Sequence, residues 1–117
     1  MTNFDHIYDP STTLTTEFVT IATGKPVCSA IPANPTCIVD FLAFANKSIS
    51  DVQVWVIDGT GKTLLPGVTM PAGGLTVIPI PEGGLRFSDG LQWRASVGGA
   101  IDAWARLIVD DASCGLF

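Results

Sequence analysis

From residue 38 onward the chain runs in short apolar stretches and alternations, each closed by residues that favour turns. Residues 38–46 are apolar at nearly every position, with Asp40 the exception, which predicts a strand covered on both faces. Val52, Val54 and Val56 alternate with Gln53, Trp55 and Ile57, and Asp58-Gly59-Thr60-Gly61 follows, so a β-hairpin is expected there. Residues 63–65 begin the return strand, which Pro66-Gly67 is expected to break before residues 68–70. Pro71-Ala72-Gly73-Gly74 marks the next turn. Residues 75–80 form a further strand closed by Pro79, Pro81 and Gly83-Gly84, placed at a sheet edge where a missing amide donor is tolerated. Leu91, Trp93, Ala95 and Val97 alternate with Gln92, Arg94 and Ser96. Ile101, Ala103, Ala105, Leu107 and Val109 form the inward face of a last strand, with Asp102, Trp104, Arg106 and Ile108 on the other face. Ala and Arg favour helix over residues 101–109, but the period of two and the Gly98-Gly99 turn favour strand.

About seven such strands, with turn signals every ~8–12 residues, predict an all-β fold. The expected architecture is an antiparallel β-sandwich, jelly-roll-like, of about seven or eight strands with an extended N-terminal arm. The arm covers residues 1–36 and the sandwich domain residues 37–117. Threonines at 12, 13, 15, 16 and 20 and prolines at 26, 32 and 35 mark the arm; proline holds the chain extended, so at most it supplies edge strands. Its apolar residues, among them Phe4, Ile7, Tyr8, Leu14, Phe18 and Ile21, require burial against their own domain or a neighbour's.

Composition narrows the function by exclusion. A chain of 117 residues with a net charge of -5 and only six Lys and Arg is one domain with no phosphate-neutralising surface, so nucleic acid is not an expected partner. No stretch approaches the about 18 apolar residues of a membrane span. Three cysteines, Cys28, Cys37 and Cys114, make no disulfide framework, and no apolar signal segment follows a basic start; a cytoplasmic origin with reduced thiols is expected. His6 is the only histidine and has no nucleophile or metal-ligating partner at a recognised spacing. Gly61-Lys62-Thr63 lacks the upstream glycine and following helix of a phosphate loop. Asn46-Lys47-Ser48 has the form of a glycosylation sequon without the secretory route. Asp110-Asp111 lacks the dense ligand pattern of a calcium loop. No enzymatic activity, cofactor or metal is expected.

Outward apolar residues at Ile57, Trp104 and Ile108, with Trp55, Arg94 and Arg106 beside them, call for a cover that a lone two-layer sandwich does not supply. With Phe4, Tyr8 and Phe18 of the arm, these nine residues are the expected protein-interface set. Trp55 and Trp104 would alternatively stack on sugar rings.

In order along the chain stand Asn46, Asp58-Gly59, Leu64-Leu65-Pro66-Gly67, Pro71-Ala72-Gly73-Gly74, Pro81-Glu82-Gly83-Gly84-Leu85-Arg86-Phe87 and Gly90-Leu91. This succession resembles small β-sandwich structural proteins of tailed bacteriophages, over roughly residues 38–109; the extra glycine at Gly83-Gly84 is a departure from the pattern, expected to alter that turn without disturbing the strands. The resemblance implies a virion component made in the host cytoplasm, most simply a head decoration (cement) protein on the outer capsid surface. Its implied partners are the major capsid protein or other virion proteins, and a homo-oligomer, a trimer, is expected. The alternative is a tail or head-fibre subunit whose sandwich binds carbohydrate for host attachment. The acidic charge favours the outside of the shell, away from packaged DNA.

Overall fold

A computed structural model describes residues 6–21, 37–87 and 90–109. It is an antiparallel β-sandwich, and no helix occurs among the described residues. The strands are β1 (His6–Tyr8), β2 (Ser11–Thr13), β3 (Val19–Thr20), β4 (Cys37–Asn46), β5 (Val52–Asp58), β6 (Thr63–Met70), β7 (Leu75–Val77), β8 (Leu85–Phe87), β9 (Leu91–Ala95) and β10 (Ile101–Val109). One sheet pairs β4 with β10 at its centre, flanked by β1 and β2 along β10 and by β7 and β8 along β4. The other runs β3-β9-β5-β6.

Period two sorts the side chains as expected. Val52, Val54 and Val56 of β5, Leu91, Trp93 and Ala95 of β9, and Ile101, Ala103, Ala105 and Leu107 of β10 are all buried. They meet Val39, Leu42 and Phe44 of β4, whose ring stands edge-on to Trp93 at 6.3 Å between centroids, a favoured aromatic arrangement. Residues 101–109 are strand, not helix. Strand β9 stops at Ala95, two residues before Val97, because the Ser96 Oγ accepts the Gln53 amide at 3.0 Å and the chain turns.

The described part of the arm is stitched into both sheets of its own chain. Strands β1 and β2 share one register along β10, from His6 opposite Val109 to Thr13 opposite Asp102. Pro10 sits in the gap and accepts the Ala105 amide at 3.0 Å; its nitrogen faces the same partner, so the proline forgoes the reciprocal bond to the Ala105 carbonyl and interrupts the ladder between β1 and β2. Leu14 and Ile21 then turn into the core, 1% and 3% exposed, and between them β3 crosses to pair with β9. Residues 22–36, with Cys28, and residues 110–117, with Asp110, Asp111 and Cys114, lie outside the described residues.

Three irregularities were not expected. Strand β6 is not broken at Pro66-Gly67; it continues along β5 through register shifts, with Gly67 at φ 76° as the extra residue of a bulge. Asp40 is the extra residue on β4 where its pairing with β10 shifts between Arg106 and Leu107, which explains a carboxylate in an apolar strand. The strand from residue 75 also ends early, at Val77; the chain leaves β4 after Ile78 and returns as β8. Gly84 makes that return possible: at φ 78° a Cβ would lie 2.8 Å from the Val39 carbonyl oxygen and collide with Ile38.

Two buried polar side chains fix the loops. Asn46 donates from Nδ2 to the carbonyls of Ser50 and Met70, both at 2.9 Å, and accepts from Ser48 N and Oγ at 3.0 and 2.8 Å. Asp58 accepts the Thr60 and Lys62 amides and the Thr60 hydroxyl, closing the β5–β6 hairpin. Each is satisfied, so burial carries no orphaned-group penalty.

The place of Leu14 in the core yields a test. Leu14→Ala should destabilise the fold by about 2–5 kcal/mol in chemical denaturation, whereas Val19→Ala, at a half-exposed edge position, should stay within about 0.5 kcal/mol. Equal, small effects would show that the arm is not part of the core in solution.

Candidate functional site

The expected interface residues fall into two groups on opposite sides of the sandwich. Trp55, Ile57 and Arg94 lie on the outer face of the β3-β9-β5-β6 sheet; Trp104, Arg106 and Ile108 lie on the outer face of the other. Tyr8 is in β1 opposite Leu107, while its side chain and all of Phe4 lie outside the described residues. A single sugar platform using both Trp55 and Trp104 is therefore not built.

Trp55 is also occupied. It stands directly across from Arg94, whose guanidinium carbon lies 3.8 Å from the centre of the Trp55 ring and 5.4 Å from that of Phe18. Arg94 Nη1 donates to the Thr16 carbonyl at 3.1 Å. The bare backbone of Gly67 lets the indole lie close, since a Cβ there would come 2.9 Å from Trp55 Nε1. This group fastens residues 16–18 of the arm to the sheet. Each such cation–aromatic contact stabilises by about 0.5–1 kcal/mol at an exposed position.

The other outer face carries an open apolar groove of ≈370 Å³, lined by Asp9, Phe41, Ala43, Leu75, Val77, Trp104 and Ala105. Its floor is small because Ala43 lies directly across from both Trp104 and Val77 in the pairing of β10, β4 and β7. Its walls are exposed: Leu75 66%, Val77 53%, Trp104 41% and Phe41 38%. Ile57 and Ile108, by contrast, are half-buried. Phe41, Leu75 and Val77 were not among the expected interface residues. Strand β4 is apolar on both faces, but its outer face is only partly covered; the Asp40 bulge puts Val39 inside and Phe41 outside although they are two residues apart, so alternation alone would not have turned Phe41 outward.

Ion pairs flank Trp104 on either side along β10. Arg106 donates to both carboxylate oxygens of Asp40, from Nε at 2.8 Å and from Nη2 at 3.1 Å, and these bonds, with the Asp40 charge and more weakly that of Asp9, raise the guanidinium pKa above its ordinary value. On the other side, Asp102 accepts the Thr13 hydroxyl at 2.7 Å and Lys47 Nζ at 3.2 Å. The Thr13 bond first, then Lys47, holds the Asp102 carboxyl below its ordinary 3.8. Among the described residues no group of three or more His, Cys, Asp or Glu is placed to hold a metal ion, and no helix is long and apolar enough to cross a membrane.

No protein-family model matches this chain, and neither does any curated protein or solved structure.

The lowered Asp102 pKa has a definite sign. The folded carboxyl takes up its proton less readily than the unfolded one, so its contribution is complete above pH 3.8 and is lost as pH falls through the lower folded value. Asp102→Asn should remove that part of the acid sensitivity: the drop in denaturation midpoint between neutral pH and pH below 3.8 becomes smaller than in the unsubstituted chain. An unchanged drop would show that Thr13 and Lys47 do not hold the carboxylate in solution.

Proposed function

We propose that this chain is a structural protein of a bacteriophage virion, most simply a decoration protein that sits on the outside of the capsid and bridges major-capsid subunits. The observation that carries the reading is the open Trp104 groove on an otherwise well-filled sandwich. An apolar surface with an exposed aromatic at its edge suits a protein partner. The turn motifs behind the resemblance also have definite places in this fold. Asp58-Gly59 is the β5–β6 hairpin, Gly67 a bulge, Pro71 to Gly74 a turn closed by the Gly74 amide at 3.1 Å, and Gly84 the return onto β4.

The mechanism is linkage. A protein that binds the assembled lattice and not its dissociated subunits stabilises the lattice by RT ln(1 + [L]/Kd), about 2.7 kcal/mol per site at a hundredfold excess. Many modest sites then suffice, and a groove that buries a few aliphatic side chains and one Trp is adequate to each. The carbohydrate alternative rests on one exposed tryptophan only, since Trp55 is taken up by Arg94.

The test is binding of the purified chain to phage heads that lack it, followed by sedimentation. Trp104→Ala should weaken head binding by about 2 kcal/mol or more, as expected for an interface hot spot, with the denaturation midpoint little changed because Trp104 is on the surface. Heads that ignore the unsubstituted chain, or bind the Trp104→Ala variant equally, would remove the groove from the mechanism; glycan binding lost with Trp104 would move the reading to a host-attachment subunit.

A further inference from the structure

The groove runs to a free sheet edge, and that edge has an unusual composition. No charged residue stands between Lys62 and Glu82, a run that holds β6, an edge strand of one sheet, and β7, which with β8 forms an edge of the other. Free edges are ordinarily guarded by short strand length, charge, proline or a bulge. Strand β6 has Pro66 and its bulges. Strand β7 is short, at three residues, but carries no charge, proline or bulge between Leu75 and Val77.

Its backbone geometry is defined by the ladder to β4. The Ile78 amide donates to Leu42 and the Asn46 amide to Gly74, both at 2.9 Å. Bonded and non-bonded pairs alternate in an antiparallel ladder, so Thr76 bonds Phe44, while the N–H and C=O of Leu75 and Val77 point away from the sheet. Among the described residues nothing bonds them. Their side chains, 66% and 53% exposed, share the outer face with the groove.

We propose that β7 is the contact edge of a homodimer, in which two copies of β7 pair antiparallel about a two-fold axis through Thr76. Leu75 then faces Val77 of the second copy and Val77 faces Leu75, each giving and accepting a backbone bond. Aliphatic side chains meet across the junction on the outer face. The two grooves merge into one apolar stripe across both copies. A second copy is the fitting occupant because the strip matches itself: it is palindromic in character about Thr76 and carries no charge to repel its like, although the chain as a whole is at -5. The contact is two-fold, in place of the three-fold ring expected from the resemblance. It goes beyond the virion reading and does not depend on it, since the purified chain would pair without any capsid.

Sedimentation equilibrium of the purified chain tests the proposal. A concentration-dependent dimer is expected. Leu75→Lys and Val77→Pro should each raise its Kd about tenfold or more; the proline removes only the outward amide, leaving the Thr76 and Ile78 donors that hold β7 on β4. Val19→Lys, an exposed aliphatic on the β3 edge, should leave the dimer unchanged. The near-ultraviolet signal of buried Trp93 reports whether each variant is folded. As a positive readout, Thr76→Cys should form an intermolecular disulfide under mild oxidation beyond any seen in the unsubstituted chain. Cα atoms at a non-bonded antiparallel pair lie about 4.5 Å apart, within disulfide reach. A chain that stays monomeric at all concentrations, or a dimer indifferent to Leu75→Lys and Val77→Pro, would overturn the proposal and leave the head-binding test standing.

Discussion

Each strand of a two-layer sandwich can turn only one face to the core, and β4 and β10 carry apolar side chains on both. That constraint generates most of what is distinctive here. Their inner faces, with Leu42, Phe44, Ile101 and Leu107, close against β5 and β9. Among the described residues nothing closes over their outer faces, and Phe41 and Trp104 stay partly in water. The described part of the arm adds strands beside β10 and not a third layer above it. It extends the sheet and completes the core through Leu14 and Ile21.

Small residues give the open face its shape. Ala43 places a floor between the walls of Trp104 and Val77, where a larger residue would fill the space and leave a flat surface. The bulge at Asp40 serves the same end of the sheet differently. By turning a carboxylate outward beside Arg106 it makes a two-pronged ion pair, a geometry that suits the planar guanidinium. On the other side of Trp104, Asp102 is held between Thr13 and Lys47. Surface pairs of this kind add little stability; their consequence is that the two β10 charges flanking Trp104, Asp102 and Arg106, are each paired.

The strands were legible in the sequence because side-chain alternation is a local property. The inward set of β10, the β5–β6 hairpin and the edge position of β7 all follow from period two, Asp-Gly and proline. Register is not local, and what depends on it was not legible. Trp55 looked free until its pairing opposite Arg94 placed a guanidinium over its ring. Pro66-Gly67 looked like a break because nothing in the run tells a strand end from a bulge that β5 carries across. The second glycine of Gly83-Gly84 looked like a spare turn residue, and only the approach of Ile38 and Val39 shows that a side chain has no room there. Phe41, Leu75 and Val77 were passed over for a related reason. Exposure depends on which strands have neighbours above them, and a run of apolar residues does not contain that information.

Charge placement follows from the same arrangement. An acidic protein keeps copies apart by repulsion, but only where the charge is. Here the β10 charges that flank Trp104 are internally paired, and the segment that carries β6 and β7 has no ionisable group between Lys62 and Glu82. Acidic and basic residues lie instead at Asp9, Glu17, Lys47, Asp51 and Lys62, beside the groove, on the arm and in the loops. An edge exposed only to water gains from a lysine or glutamate, which blocks unwanted strand pairing at little cost. Leu75 and Val77 hold two positions on β7 where such a residue fits without touching the core, and both are aliphatic.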